Sequence, residues 1–386
     1  MLHTLAFDNY RSLRSLRVRL GALSLITGIN GTGKSNLYRA LHMLSHAVNG
    51  ELGRALAREG GMPSAFWAGP ERSKSFAASR KPSKTQGTSS GGPKRLAVGF
   101  LADDFGYELK LGLPPKVPSS AFSLDPEVKE EWVWLGDKRT PRTVMLERSA
   151  QSAFVRDEAG TRVPYPLQLD IGESVLSQLR EPHRYPEISA LRERIRGFRF
   201  YHHFRVDELS PIRQAQVGTR TPVLGHDGSD LAAALQTILE IGDDDALQQG
   251  VAEAFEGAQL QIEAADGRFE VALRSPGMLR PLRAAELSDG TLRFLCLLAA
   301  LLSPHPPELL VLNEPEASLH PRLLVPLARL VGAAAQRSQV LIVSHAHELM
   351  DGLYACVEPT LIELTREDGE TRVLGQSPLE EPAWPE

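Results

Sequence analysis

The sequence predicts an α/β fold with a mainly parallel core sheet, an added antiparallel β subdomain and a helical lobe. Three observations support this prediction. A Gly-rich segment lies between an apolar run and a predicted helix, two continuous apolar runs near the C-terminus each end in polar residues, and short alternating stretches fill residues 96–163. Continuous apolar runs are typical of buried parallel strands, whereas alternation is typical of antiparallel sheets with one solvated face.

The Gly-rich segment is the strongest local signal. Residues 2–7, 16–20 and 22–27 are predicted strands, and the third leads into the sequence GINGTGKS at residues 28–35. This sequence fits G-x-x-x-x-G-K-[ST], in which backbone N–H groups surround phosphates, Lys34 reaches the β- and γ-phosphates and Ser35 ligates Mg²⁺. A helix predicted over 37–48 points its positive end at the same phosphates. The plain alternative is a Gly-rich turn, but the motif in this context favours nucleotide binding.

Composition narrows the class of protein. The 386 residues are 42% hydrophobic and 24% charged with a net charge of −5, so the whole chain is not a basic nucleic-acid binder, although a local basic face is allowed. Cys296 and Cys356 are too few for a disulfide framework, and Cys296 is expected in the core. The longest apolar run, 294–302, is too short to cross a bilayer, and the N-terminus lacks a signal-peptide core. We expect a cytoplasmic protein without membrane contact.

We predict three parts. Residues 1–165 hold the phosphate loop and the antiparallel sheet, residues 166–280 form a helical insert lobe, and residues 281–386 complete the core. Residues 73–94 are rich in Ser, Lys, Gly and Thr and are predicted to be a mobile surface loop. This loop is either a disordered polar insert or a basic arm that contacts an anionic partner.

The insert lobe is expected to be helical over 173–196, with breaks near Pro182 and Pro186, followed by a strand over 198–204. Residues 192–205 interleave five arginines with aromatics, which fits a nucleic-acid surface but is more simply a solvated helix face before a half-buried strand. His202 and His203 would lie on opposite faces of that strand, so they do not form one metal site.

Further local patterns predict a helix over 229–239 capped by Ser229, a helix over 246–255, and a hairpin that turns at Asp266 and Gly267.

A second group of polar residues follows the later apolar segments. Ser288 and Gly290 begin an apolar helix, where a hydroxyl, backbone N–H groups and the helix dipole form an anion site, although an N-cap explains Ser288 equally. The strand predicted over 308–312 ends in Asn313 and Glu314. A carboxylate at this end of a strand beside a phosphate loop lies where Mg²⁺ and the attacking water belong. The strand predicted over 339–343 is followed by His345, which can reach the γ-phosphate.

This order of motifs resembles the ABC-type ATPases, which are P-loop NTPases. The similarity is to the branch that contains RecF, the chromosome-maintenance ATPases and the overcoming-lysogenization nucleases, and within it to stand-alone AAA family ATPases of the AAA_21 type. It covers residues 2–41 and 223–349 well, and the middle of the chain in outline.

The resemblance implies roles for individual residues. Glu314 would polarise the attacking water, His345 would be the switch histidine, and residues 318–320 would form the loop that crosses to a second subunit. Ser288 and Gly290 would cap the γ-phosphate of ATP held by that subunit, so the working unit would be an ATP-dependent, head-to-tail homodimer. Ser35 and Asn313 would face Mg²⁺. The residues implied to bind ATP are Asn30, Gly31, Thr32, Gly33, Lys34, Ser35 and Asn36.

Two residues depart from the family pattern. Asn313 replaces the usual acid, which removes a charge from the metal site. Asp289 replaces a glycine and would place a charge near the partner's phosphates. Contacts to adenine are open, with Asn9, Tyr10 and Arg11 as candidates.

We therefore expect an ATP-hydrolysing dimeric clamp or switch in DNA repair, recombination or phage defence, with DNA or a separate effector protein as candidate partners. A regulatory nucleotide switch with slow hydrolysis that controls a partner effector is the first alternative. The energy subunit of a transporter is the second.

Overall fold

The computed structural model describes residues 1–69, 94–115, 120–157, 159–377 and 380–385. The predicted loop at 73–94 lies outside these residues except for Lys94. The chain forms two compact units, each assembled from separate segments. Unit 1 contains residues 1–2, 20–29 and 197–363, and unit 2 contains residues 3–19, 30–196 and 364–386. The three-part division of the sequence stays a prediction.

The strands of the described residues are, in chain order, β1 (Leu2–Tyr10), β2 (Leu13–Arg19), β3 (Leu23–Thr27), β4 (Leu96–Ala102), β5 (Phe105–Gly112), β6 (Glu127–Leu135), β7 (Val144–Ser149), β8 (Ser152–Arg156), β9 (Arg162–Pro164), β10 (Arg199–Tyr201), β11 (Gln216–Val217), β12 (Gln259–Ala265), β13 (Arg268–Arg274), β14 (Leu282–Arg283), β15 (Leu309–Asn313), β16 (Gln339–Val343), β17 (Thr360–Glu367) and β18 (Glu370–Val373). The α-helices are α1 (Lys34–Asn49), α2 (Leu52–Arg58), α3 (Met62–Ala65), α4 (Val175–Gln178), α5 (Pro186–Arg196), α6 (Leu231–Ile241), α7 (Asp244–Ala254), α8 (Asp289–Leu301), α9 (Leu324–Ala334) and α10 (His347–Cys356).

Unit 1 is built on a parallel sheet in the order β10-β15-β16-β3-β17. Every residue of β3, β15 and β16 is buried, as their continuous apolar sequences predict. Helices α6, α7, α8 and α9 contribute to the same hydrophobic core, which includes Cys296. Parallel pairing sets the C-terminal residues of β15 and β16, Asn313 and Val343, opposite each other.

Two local predictions in unit 1 are corrected. The strand predicted over 198–204 ends at Tyr201, so His202 and His203 follow the strand and do not lie on its two faces. Ser229 does not cap α6, because Asp230 is the N-cap residue and the Ser229 hydroxyl donates a hydrogen bond to Asp227 Oδ1. The hairpin of β12 and β13 forms as predicted.

Unit 2 contains an antiparallel sheet in the order β2-β1-β4-β5-β6-β7-β8-β9, as the alternating stretches predict. The fully buried Arg148 lies 3.4 Å from the equally buried Glu131. The Glu131 carboxylate also accepts hydrogen bonds from the Tyr107 hydroxyl and from the Val175 N–H. A buried ion pair is tolerable only when its remaining polar atoms are satisfied in this way.

Helix α1 of unit 2 packs on α4 and α5, which divide the predicted helical segment at its prolines. Strand β18 pairs with the second half of β17. Within the described part of the chain, no helix is long and apolar enough to cross a membrane.

Candidate functional site

The part of the phosphate loop that belongs to unit 2 begins at Asn30. The loop ends at Lys34, where α1 begins, three residues before the start that the sequence predicts for this helix. Gly31 and Gly33 have φ values of 85° and 106°, a left-handed conformation that glycine adopts without strain. Asn30, Gly31 and Ser35 are exposed, whereas Thr32 and Lys34 are buried. The first turn of α1 contains no acidic residue, so its N-terminus keeps its positive potential.

A network of polar side chains supports this loop from within unit 2. The Thr371 hydroxyl donates a hydrogen bond to the Thr32 carbonyl at 2.7 Å and lies 2.7 Å from Ser12 Oγ. Asn36 Nδ2 also donates to Ser12 Oγ, at 2.8 Å. Asn36, which we expected to bind ATP, therefore has a supporting contact here. Sequence reasoning missed Ser12 and Thr371, which are separated by 359 positions.

The packing around Gly33 explains the glycine at that position. A Cβ atom there would lie 2.1 Å from Thr371 Oγ1 and 2.8 Å from Ser12 Oγ. The backbone of the loop thus lies directly against its polar support.

A hollow of about 490 Å³ adjoins the loop within unit 2, and its lining includes Arg11, Gly31, Asn36, Trp67 and Arg366. Of the three candidates for contacts to adenine, only Arg11 lines it. Asn9 instead donates to the Arg95 carbonyl, and the Tyr10 hydroxyl donates to Glu59.

The second group of predicted site residues lies at the C-terminal edge of the parallel sheet of unit 1. Glu314 follows β15, and its N–H donates to the Val343 carbonyl at 2.8 Å. Its φ is 49°, which is uncommon for a residue with a side chain and concentrates at functional sites. The sheet therefore brings Asn313, Glu314 and His345 to one edge. Ser288 and Gly290 also belong to unit 1, whereas Asn30 to Asn36 belong to unit 2.

Asn313 is 2% exposed. Its Nδ2 lies 2.7 Å from His202 Nδ1, and its buried Oδ1 has no hydrogen-bond partner among the described residues. Partial desolvation of the ring lowers the pKa of His202, although the residue as a whole is exposed. An unfilled oxygen acceptor at this position fits Mg²⁺ or its bound water, because Mg²⁺ prefers oxygen ligands. Sequence reasoning missed the contact between His202 and Asn313, and no sequence signal predicts it.

Glu316, also missed, fixes the turn that carries His345. Its Oε1 accepts hydrogen bonds from the Ser344 hydroxyl at 2.7 Å and from the His345 N–H at 3.1 Å. The His345 side chain is 55% exposed, and its Nδ1 lies 3.5 Å from the same oxygen. The sequence signal that could have identified Glu316 is its position as the second glutamate of Asn-Glu-Pro-Glu.

Ser288 caps α8, as the local alternative predicts, by accepting a hydrogen bond from the Thr291 N–H at 3.1 Å. A Cβ atom on Gly290 would lie 3.0 Å from the Ser318 carbonyl, so glycine allows the loop at residue 318 to approach. Asp289 forms an ion pair with Arg213. The charge that we expected near a partner's phosphates is thus offset within unit 1.

The arginines of residues 192–205 are largely engaged with carboxylates, which favours the solvated-face interpretation of this stretch. The ion pairs are Arg192 and Arg196 with Glu193, Arg194 with Asp104, and Arg205 with Asp207.

A family model described as "AAA domain, putative AbiEii toxin, Type IV TA system" matches residues 23–351. No curated protein sequence matches the chain. Among solved structures, an SMC head bound to the C-winged helix domain of ScpA is 14% identical, with a TM-score of 0.53 over 97% of this chain and 96% of that chain. The SMC head domain from Thermotoga maritima is 14% identical, with a TM-score of 0.48 over 97% of this chain and 99% of that chain. The first likeness confirms the predicted α/β fold class, because the chain shares the fold of an SMC head domain.

Proposed function

The chain belongs to the AAA domain family described as "putative AbiEii toxin, Type IV TA system", and from this membership we propose that it is an ATP-binding and ATP-hydrolysing dimeric switch. The observation that carries the proposal is the sheet edge of unit 1. There, Glu314 has a left-handed backbone, Asn313 keeps a buried, unpartnered oxygen, and His345 is held by Glu316.

Each proposed role follows from the chemistry of the residue. Lys34 and the backbone N–H groups of Gly31 to Ser35 bind the phosphates of ATP. Ser35 in the loop of unit 2 and Asn313 at the sheet edge of unit 1 are each proposed as an oxygen ligand of Mg²⁺, which when bound would neutralise phosphate charge. Glu314 accepts a hydrogen bond from the attacking water and orients it, and His345 contacts the γ-phosphate.

The dimer is proposed from the resemblance to the ABC-type branch, in which Ser288 and Gly290 act on ATP held by the partner. The exposure of Ser288 and Asp289 is compatible with such a contact. The SMC head that resembles this chain was crystallised with a domain of ScpA, so the fold has a precedent for a bound partner protein.

The test is the ATPase rate with and without double-stranded DNA, together with the molecular mass in solution with and without ATP. We compare the wild type, Glu314→Gln, and Lys34→Ala as the variant without ATP binding. A DNA-stimulated rate that Glu314→Gln abolishes while it still dimerises in ATP would support a clamp on DNA. An absence of ATP binding by the wild type would refute the proposal.

A regulatory switch that controls a partner effector is the second candidate. It is favoured by Asn313, which lacks the charge of the usual acid, and by the toxin–antitoxin wording of the family description. Negligible hydrolysis combined with ATP-driven dimerisation would select this candidate over the clamp.

A further inference from the structure

We propose that His202 is a positioning residue that fixes the side-chain amide of Asn313, so that Oδ1 is presented as the acceptor at the metal position. This inference rests on the proposed function, because it assigns Asn313 to the metal side of the ATP site. It explains how a carboxamide serves where the family pattern has a carboxylate.

The first argument is the geometry of the amide. Nδ2 can only donate hydrogen bonds and Oδ1 can only accept them. Nδ2 lies 2.7 Å from His202 Nδ1, which accepts when that nitrogen carries no proton. In this orientation the buried Oδ1 accepts no hydrogen bond from the described part of the chain, so it remains available to Mg²⁺ or its bound water. The opposite orientation would place Oδ1 against His202 Nδ1 and remove this acceptor from the metal position.

The second argument is that His202 is itself held in place. Arg293 Nη2 donates to the carbonyl of His202 at 3.4 Å and to the carbonyl of Glu314 at 3.3 Å. One guanidinium therefore connects the segment that carries His202 to the segment that carries Asn313 and Glu314. The backbone that carries the imidazole is thus held next to the backbone that carries the amide.

The third argument is chemical. A carboxylate presents two equivalent oxygens, so an aspartate at position 313 would need no partner to choose its orientation. An asparagine presents only one oxygen, so it needs a partner that selects the orientation of its amide. The effect of removing His202 should therefore depend on whether residue 313 is asparagine or aspartate. A general structural role of His202 would give the same effect with either residue.

The first test is spectroscopic and uses the protein without nucleotide or metal. The chain has five asparagines, Asn9, Asn30, Asn36, Asn49 and Asn313, so ¹⁵N-asparagine labelling gives five side-chain amide signals. Asn313→Asp identifies the signal of Asn313. We expect His202→Ala to move that signal and His203→Ala, at the neighbouring histidine, which is exposed like His202, to leave it unchanged. An Asn313 signal that is the same in His202→Ala and the wild type would overturn the proposal.

The second test measures Mn²⁺ affinity by electron paramagnetic resonance in the presence of a non-hydrolysable ATP analogue. Loss of a residue that orients a metal ligand typically costs about 10-fold or more in affinity. We expect a loss of that size for His202→Ala, none for His203→Ala, and none when His202→Ala is added to Asn313→Asp. An equal loss in both backgrounds would refute positioning. If the wild type binds no Mn²⁺ with the analogue, the proposed function fails, and the amide signal still decides the orientation of Asn313.

Discussion

Glu316 and Ser344 join the ends of two neighbouring parallel strands, since the Ser344 hydroxyl donates a 2.7 Å hydrogen bond to the buried Glu316 carboxylate. The same oxygen accepts the N–H of His345. The backbone of the proposed switch histidine is therefore positioned by a carboxylate that lies three residues beyond β15.

Glu316→Ala is expected to remove both hydrogen bonds and leave their donors without this acceptor. A loss of about 1–3 kcal/mol in the free energy of unfolding should follow. ATPase activity should fall mainly in kcat, because His345 loses its position while the phosphate loop is unchanged. Urea unfolding and steady-state kinetics measure the two effects, with Glu348→Ala, at an exposed position in α10, as the control. Unchanged stability and kcat would contradict this assignment.

Arg213 should matter more for stability than its partner Asp289. The Arg213 side chain is 10% exposed and donates to four backbone carbonyls, whereas the Asp289 side chain is 61% exposed. We expect Arg213→Ala to cost about 2–4 kcal/mol, because buried acceptors lose their donor. Asp289→Asn should cost under about 1 kcal/mol, as is usual for exposed ion pairs. Urea unfolding of both variants measures the difference, and a larger cost for Asp289→Asn would reverse this ranking.

Gly33 and Gly31 provide a matched pair of substitutions. Both have positive φ, so alanine is strained at either position. Only at Gly33 would the new Cβ also meet Thr371 Oγ1, whereas no atom lies within 4 Å at Gly31. We expect overpacking at Gly33 to cost about 1–3 kcal/mol in addition to the backbone strain. Gly33→Ala should therefore lower Tm by several degrees more than Gly31→Ala. Equal decreases in Tm for the two variants would show that the Thr371 side chain moves to accommodate the new methyl group.

Glu173 should make the stability of the protein depend on pH. Burial, and then the nearby Asp170 and Glu51, raise its pKa from 4.5 to about 6. Because the folded pKa lies above the unfolded pKa, stability falls as the pH rises from about 4.5 through 6.

Glu173→Gln is therefore expected to raise Tm above about pH 6 and to have no effect below about pH 4.5. Thermal unfolding across this range measures the change, and Glu358→Gln at an exposed position is the control. A Tm gain that does not vary with pH would refute the role of the Glu173 charge.

The two cysteines should differ sharply in reactivity. Cys356 is exposed, whereas Cys296 is buried in the core of unit 1 and burial raises the pKa of its thiol. Because the thiolate is the reactive form, a thiol reagent should modify one group quickly in the native protein and the second only on unfolding. Cys356→Ser should abolish the fast phase. Two fast thiols in the native protein would contradict the packing around Cys296.

The sequence by itself determined the helices and strands and the polar residues at which they begin or end. The phosphate loop, the buried strands that end in Asn313 and Val343, the Ser288 cap and the hairpin of β12 and β13 are all encoded by residues near one another in the chain. Local patterns suffice there, because strand and helix periodicity and backbone preferences act over a few residues.

Only the tertiary structure decided which side chains meet. His202 reaches Asn313 across 111 positions, Arg213 reaches Asp289 across 76, and Ser12 reaches Thr371 across 359. The first of these pairs depends on the pairing of β10 with β15, two strands that are far apart in the chain. Hydrophobic burial is non-directional and sets no particular polar pair, so the partners of Asn313 and Asp289 follow from how the sheet and its loops are assembled.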